Sequence, residues 1–387
     1  LHWQSIRYKV LFFLRQSLFI VQGEGRGHLT QAIALEGILR NSGHEVVEIL
    51  VGKSNSRQLP EFFNRQIHAP VRRFESPNFL PTASNKRNNL TRSIAYNITK
   101  IPTYLQSMRF IRERIRESEA DVVINFYELL TGLTYMLYRI SVPQICIGHQ
   151  YLFLHKDCRL PRKDKGSLML LQLFTRLTCL GAQKKLALSF RAMDDDNGKH
   201  IRVVPPLLRK EVMLEEATQG DYIHGYMVNS GFSENVCRWH AAHPETPLRF
   251  FRDKNNNMPV MKVDDTLSFY QLDDVEFLRQ MSGCRAYAST AGFESVCEAM
   301  YLGKPILMVP AHIEQDCNAL DAASNGAGII SDDFNLDRLI EFSREYKPNP
   351  AFRTWVESAP YIIRYAIEPD MFTQNASDHM YMVEEYM

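Results

Sequence analysis

Short apolar runs alternate with amphipathic stretches along most of the chain. Leu18-Phe-Ile-Val21 predicts a strand buried on both faces. From about Thr30, residues Ala32, Leu35, Ile38 and Leu39 share one helical face, until Asn41-Ser-Gly43 stops the pattern. Glu45–Val51 reads as the next strand, and Asp121–Asn125 and Pro143–Gly148 as later ones, each followed by a loop and more helix. Such alternation calls for parallel strands joined by crossovers. Ile201–Val204 closes this first series, because Pro205-Pro206 forbids continued helix or central strand. A second series begins at Asp221–Val228, turns at Asn229-Ser-Gly231, and continues with Leu248–Phe251, Arg285–Ala288 and Pro305–Val309. From about Asn335 the pattern is helical, cut by Pro348, Pro350, Pro360 and Pro369, and no solenoid period appears. The expectation is an α/β chain with two doubly wound domains, 1–206 and 207–345, facing across a cleft. A helical segment, 346–387, is expected to pack back on the first domain.

Composition narrows the function classes. With 387 residues and 45% hydrophobic content the chain can bury more than one core. Lys+Arg 45 against Asp+Glu 44 leaves a formal charge of +1, which gives no global attraction for nucleic acid. Seven cysteines without a CxxC pair argue for reduced thiols in the cytosol and against zinc. Val10–Leu14 and Leu18–Val21 are greasy, but Arg15 and Gln16 interrupt them, so neither reaches the roughly 20 apolar residues of a membrane span. What precedes Leu1 is not known from the sequence.

Two stretches carry chemistry. The first, Gly23-Glu-Gly-Arg-Gly-His28, lies beyond the carboxyl end of a strand, where open α/β sheets bind ligands. A dinucleotide fingerprint would need Gly where His28 stands and an acidic residue where Val51-Gly-Lys53 stands. The turn instead offers backbone that a ligand can approach at Gly25 and Gly27, and an imidazole at a helix start. The helix dipole there would keep His28 neutral and able to take a proton.

The second stretch is Ser289–Ala319. After the strand at Arg285–Ala288, Gly292 lets free amides converge at the start of a helix opening Phe293-Glu294-Ser295, an anion site suited to a diphosphate. Glu294 and Glu298 share a helix face, and Glu298, one turn deeper, can accept hydrogen bonds from the vicinal hydroxyls of a ribose. The loop Pro310-Ala311-His312 leads into Glu314, Gln315, Asp316 and Asn318, a set of hydrogen-bonding side chains that suits a polyhydroxylated ligand.

These residues resemble the inverting nucleotide-sugar glycosyltransferases of the two-Rossmann-domain type, GT-B, which include the UDP-glycosyltransferases and the N-acetylglucosaminyltransferase of peptidoglycan lipid synthesis. Gly292, Ser295, Glu298, Ala299, Gly303, Pro305, Pro310, Glu314, Gln315, Asn318 and Ala319 follow that family's C-terminal signature in order and spacing, and Gly23–His28 resembles its N-terminal turn. The resemblance implies that Gly292, Phe293, Glu294 and Ser295 hold the diphosphate, Glu298 the ribose, and Glu314, Gln315 and Asn318 the donor sugar. It also implies that His28 is the acceptor-side base, that the donor is a UDP-sugar, and that no metal or other cofactor is needed. Plant-type members carry Asn where Glu294 stands, so the role of Glu294 stays open. The segments 57–119 and 152–199 match nothing in the family.

Retaining relatives resemble E-x7-E, and eight positions before Glu298 stands Thr290, so inversion by direct attack fits better. Alternatives are a UDP-N-acetylglucosamine 2-epimerase-like enzyme, whose "SGG-x-x-E-E" loop is not matched by Ala291-Gly292-Phe293, and a non-catalytic sugar-nucleotide sensor. On the acceptor side, Glu128, His149 and Gln150 follow strand ends and either touch a carbohydrate or lipid-linked acceptor or are satisfied loop residues. Leu152–Ala187 mixes Arg162, Lys163, Lys165, Arg176, Lys184 and Lys185 with Leu168–Phe174. It reads either as a helix packed on its own domain or as a segment drawn to anionic lipid. The expected location is cytoplasmic, free or peripheral at the inner membrane face.

Overall fold

The computed structural model describes residues 16–54, 59–77, 97–228, 230–252 and 259–368. Val10–Leu14 lies outside them, as does Asn229 of the expected turn. In the first half the strands are β1 (Gln16–Gln22), β2 (Glu45–Gly52), β3 (Val71–Phe74), β4 (Val122–Phe126), β5 (Gln144–Ile147), β6 (Lys184–Leu188) and β7 (Ile201–Val204). Between them run α1 (Gly27–Asn41), α2 (Glu61–Gln66), α3 (Ile101–Glu117), α4 (Leu129–Leu137) and α5 (Lys165–Thr178). The sheet order is β3-β2-β1-β4-β5-β6-β7, with every pairing parallel.

The short α6 (Lys210–Leu214) leads to the second half. Its strands are β8 (Ile223–Met227), β9 (Leu248–Arg252), β10 (Val260–Lys262), β11 (Leu267–Gln271), β12 (Ala286–Ser289), β13 (Ile306–Met308) and β14 (Gly328–Ile330). Its helices are α7 (Ser233–Ala242), α8 (Asp274–Gly283), α9 (Phe293–Tyr301), α10 (Ile313–Ser324) and α11 (Leu336–Glu345), and α12 (Pro350–Glu357) and α13 (Ala359–Ile367) follow. The order is β10-β11-β9-β8-β12-β13-β14, parallel except for the β10–β11 edge.

The continuous apolar runs of β1 and β4 are buried on both faces, as parallel strands covered by helices require. Strand order reverses between β1 and β4, and again between β8 and β12, and ligands of such sheets bind at those reversals. The glycine turn leaves β1 at one reversal and Ser289–Gly292 leaves β12 at the other. One buried apolar cluster joins the halves, running from Phe19 and Leu35 through Phe190 and Phe293 to Tyr287 and Met308. The last two helices lie against the first half: Trp355 donates its indole N–H to the Ser189 carbonyl at 2.9 Å, and Lys184 donates to the Ala366 carbonyl at 2.7 Å.

Candidate functional site

α1 begins at Gly27, three residues earlier than the periodicity suggests, so His28 sits inside the first turn. Its imidazole is 9% exposed and stacks on Tyr127, ring centroids 5.5 Å apart. Tyr127 holds a left-handed φ of 60° at the end of β4, a conformation unfavourable for an aromatic residue, and Tyr127 is thereby presented to His28. Nδ1 of His28 lies 3.1 Å from Oε1 of Gln31, and Nε2 lies 3.3 Å from Nε2 of Gln150. The His28 pKa is lowered, and the main cause is burial rather than the helix end anticipated from sequence, opposed by Gln31 and the Glu314 charge.

The three glycines of the turn differ in what they do. A Cβ on Gly23 would strike Val51 at 2.5 Å, so β2 needs that glycine. A Cβ on Gly27 would lie 2.3 Å from a Glu294 carboxylate oxygen. A Cβ on Gly25 would meet nothing, and Gly25 has no left-handed φ. Nothing in the protein itself therefore requires glycine at position 25.

Across the cleft, the left-handed residue of the β12–α9 loop is Ala291 (φ 61°) and not Gly292, whose φ of −66° any residue adopts. Asn318 holds that loop, donating to the Ala291 carbonyl at 3.1 Å. Ser295 donates to the Gly292 carbonyl at 3.2 Å. The ring of Phe293 stacks on His149 at 4.3 Å and lies tilted 4.8 Å from Phe190, so it packs against the first half. Gln315 accepts from the Ala311 amide at 2.9 Å, which ties its oxygen to the loop before α10.

Two carboxylates reach the first half. Glu294 accepts from Nε2 of Gln31 at 2.5 Å, and Glu314 accepts from Nε2 of Gln150 at 3.1 Å. The Glu294 carboxyl is packed against Gly27 and Gln31, and burial raises its pKa to about 7, with Glu314 adding repulsion. Glu298 is already engaged: Arg209 donates to its Oε1 from Nε at 3.1 Å and from an Nη at 2.8 Å. Both partners are buried. Sequence reasoning missed Arg209, which follows the Pro205-Pro206 break with no motif around it. It also missed Gln31, although the i, i+3 spacing from His28 was there to be read.

The acceptor-side residues divide. His149 is buried, and burial brings its pKa down to about 4, so the ring stacked on Phe293 stays neutral. Gln150 is the centre of the cross-cleft contacts, and its Oε1 is buried without a hydrogen-bond partner. Glu128 is fully buried and caps α4, accepting from the Leu130 amide at 3.0 Å and from Ser76 at 2.7 Å. It caps α4, burial raises its pKa to about 7, and its Oε2 is buried without a hydrogen-bond partner.

Both strand reversals, the glycine turn and the amide-rich loop thus meet at one cleft. The sequence profile of glycosyl transferase family 1 matches residues 15–346. The chain belongs to glycosyl transferase family 1. This glycosyltransferase shares its GT-B fold with the glycotransferase of kitacinnamycin, at TM-score 0.62 and 15% identity over 92% of this chain and 98% of that one. It is similar to Arabidopsis thaliana UGT89C1, solved with UDP-L-rhamnose, at TM-score 0.61 and 12% identity over 93% and 99% of the two chains. Phytolacca americana UGT2, solved with UDP-2fluoro-glucose and pterostilbene, matches at TM-score 0.58 and 11% identity over 95% and 99%. No curated protein matches the chain by sequence.

Among the described residues of the glycosyltransferase, no group of three His, Cys, Asp or Glu side chains is placed to hold a metal ion, and no helix is long and apolar enough to cross a membrane. α5 is a helix with one face on its own half, where Thr175 and Thr178 are buried, and an opposite face exposing Met169, Leu170 and Leu173. Lys184 and Lys185 do not belong to that face, since both lie on β6.

Proposed function

We propose that this glycosyltransferase moves a sugar from a UDP-sugar to an acceptor hydroxyl with inversion, His28 acting as the base. The observation that carries the reading is the placement of a buried, neutral imidazole within one side chain of Glu314 and opposite the α9 N-terminus. Residues 1–206 would bind the acceptor and 207–345 the donor. In the reaction the acceptor oxygen bonds to the anomeric carbon while the bond to the diphosphate oxygen breaks. The acceptor proton moves to Nε2 of His28, and the electron pair leaves on the diphosphate, met by the amides that open α9. Glu298 takes the ribose through Oε2, Arg209 occupying Oε1, and Glu314, Gln315 and Asn318 surround the sugar. No metal is invoked. The nucleotide and small-acceptor complexes of the two plant relatives support a UDP-sugar and an organic hydroxyl as substrates.

The exposed apolar face of α5, with Arg162, Lys163, Lys165 and Arg176 exposed around it, supports peripheral contact with an anionic bilayer. The test of the reaction is release of UDP from labelled UDP-sugars, with water or an added phenol as acceptor. His28→Ala should keep UDP affinity and lose roughly 10²- to 10⁴-fold in turnover. In the unmodified enzyme, turnover should fall as pH drops through the lowered imidazole pKa, below about 6.5. Wild-type turnover in His28→Ala would end the base assignment.

A further inference from the structure

Five side chains form an unbroken chain of contacts from one helix of the second half to another, passing through the first: Glu294, Gln31, His28, Gln150 and Glu314. Its chemistry fixes directions. The carboxylate oxygen of Glu294 is an acceptor, so Gln31 must turn its amide nitrogen toward it. The amide oxygen of Gln31 is then left for His28, and an amide oxygen only accepts, so Nδ1 carries the imidazole proton. At the other end the Glu314 carboxylate draws the NH₂ of Gln150, whose second hydrogen points to Nε2 of His28. Nε2 therefore holds the lone pair. The base nitrogen faces the side where Gln150 stands in for an O–H donor.

We infer that Gln31 and Glu294 are positioning residues that lock His28 in its Nδ1–H tautomer, with the deciding carboxylate supplied from across the cleft. This rests on the reading of His28 as the base. Two observations favour positioning over mere packing. Gln31 lies one turn after His28 and is buried, yet both ends of its amide are used by groups from different halves of the chain. Gly27, the first residue of α1, has no side chain where Glu294 arrives, so the close approach is built into the turn. The bareness of that glycine and the carboxylate that uses it explain each other. The order of events also follows: the tautomer is fixed only while Glu294 reaches α1, that is, while the two halves are apposed.

The experiment uses the whole enzyme with ¹⁵N-labelled histidine and reads the His28 tautomer from ring nitrogen shifts without substrate. Well above pH 7, where Glu294 is ionised and only accepts, the wild type should show a single Nδ1–H form. Gln31→Met and Glu294→Leu should each give a mixture of tautomers. Glu294→Gln should also give a mixture, because its amide can donate to Gln31 as well as accept from it and no longer fixes the direction. Turnover with a UDP-sugar should fall by roughly 10- to 100-fold in Gln31→Met and in Glu294→Leu, the range typical of an orienting partner. The double variant should fall no further than either single one. A single Nδ1–H form persisting in both Gln31→Met and Glu294→Leu overturns the inference, as do losses that multiply in the double variant. Should Gln31→Met fail to fold, Glu294→Leu and Glu294→Gln decide the matter by the same spectrum: a single Nδ1–H form persisting in both overturns the inference. Retained turnover in His28→Ala would instead sink the base assignment and leave the tautomer result standing.

Discussion

Glu298→Ala removes one partner of a buried ion pair as well as the expected ribose ligand, and the two effects can be separated. Arg209 donates twice to a single oxygen, Oε1, at 3.1 and 2.8 Å, and neither residue is open to water. Stripping a buried guanidinium of its carboxylate costs about 3–5 kcal/mol, more than the pair itself contributes. At roughly 2 °C per kcal/mol for a chain of this size, the variant should melt about 6–10 °C lower. The lost ribose hydrogen bonds should weaken UDP binding by about 1.5–3 kcal/mol, tenfold or more. Replacing both residues, Arg209→Met with Glu298→Leu, leaves no stranded charge, and such swaps are often neutral for stability. Melting should then return toward that of the wild type while UDP affinity stays low. The assays are calorimetric melting and titration with UDP on the same samples. An unchanged melting point in Glu298→Ala would refute the buried-pair argument. Wild-type UDP affinity in the double variant would refute the ribose assignment.

Two shorter predictions bear on the cleft rim and the surface. The methyl of Gly25→Ala meets no atom and no left-handed φ in the protein, so its stability should stay within about 0.5 kcal/mol of wild type while turnover falls if substrate passes over that backbone. Gly27→Ala should instead destabilise, because its methyl would overlap the Glu294 carboxylate; equal melting of the two variants would contradict the division of roles within the turn. Replacing Lys163, Lys165 and Arg176 by Gln should weaken co-sedimentation with anionic liposomes by about 3 kcal/mol, roughly a hundredfold. A wild type that never co-sediments removes the bilayer contact.

What the sequence disclosed tracks how local each signal is. β1, β2, β4, β8, β9, β12 and β13 contain short apolar runs bounded by turns that are visible in any window, whereas β10, β11 and β14 went unread. β6 opens with Lys184 and Lys185, and β3 contains Arg72 and Arg73, so their polar residues hid two strands that pairing with neighbours stabilises. The family signature brought Gly292, Ser295, Glu298, Glu314, Gln315 and Asn318 into one region, because those residues lie within a single strand-helix-strand-helix unit. Nothing local could disclose that Phe293 would pack on His149, 144 positions earlier in the chain, or that Arg209 would take an oxygen of Glu298. Those contacts depend on how the two halves meet. The lowered pKa of His28 was anticipated in direction and not in cause: the helix end is where the sequence puts the ring, but burial between Tyr127, Gln31 and Gln150 does most of the lowering.

The charge of the closed cleft has a consequence for how a diphosphate enters it. Burial, with added repulsion from Glu314, raises the Glu294 carboxyl to about 7, so near neutral pH both of its protonation states are populated. A diphosphate bound where we propose, at the α9 N-terminus, would add like charge beside Glu294 and raise that pKa further. Binding must therefore draw a proton from solvent, and by linkage affinity should rise as pH falls from about 9 toward 7 and level off once Glu294 is protonated in the free enzyme as well. A Glu294 that stayed ionised and was repelled without relief would instead give an affinity that is low and independent of pH in this range. Titrating UDP at pH 7.5 in buffers of different ionisation enthalpy measures the uptake directly, and Glu294→Gln supplies the reference, since the titration of UDP itself is common to both. The expected difference is a substantial fraction of one proton, present in wild type and absent in Glu294→Gln. Equal uptake by the two proteins would mean that Glu294 does not feel the diphosphate, and the anion site would have to lie elsewhere than at the start of α9.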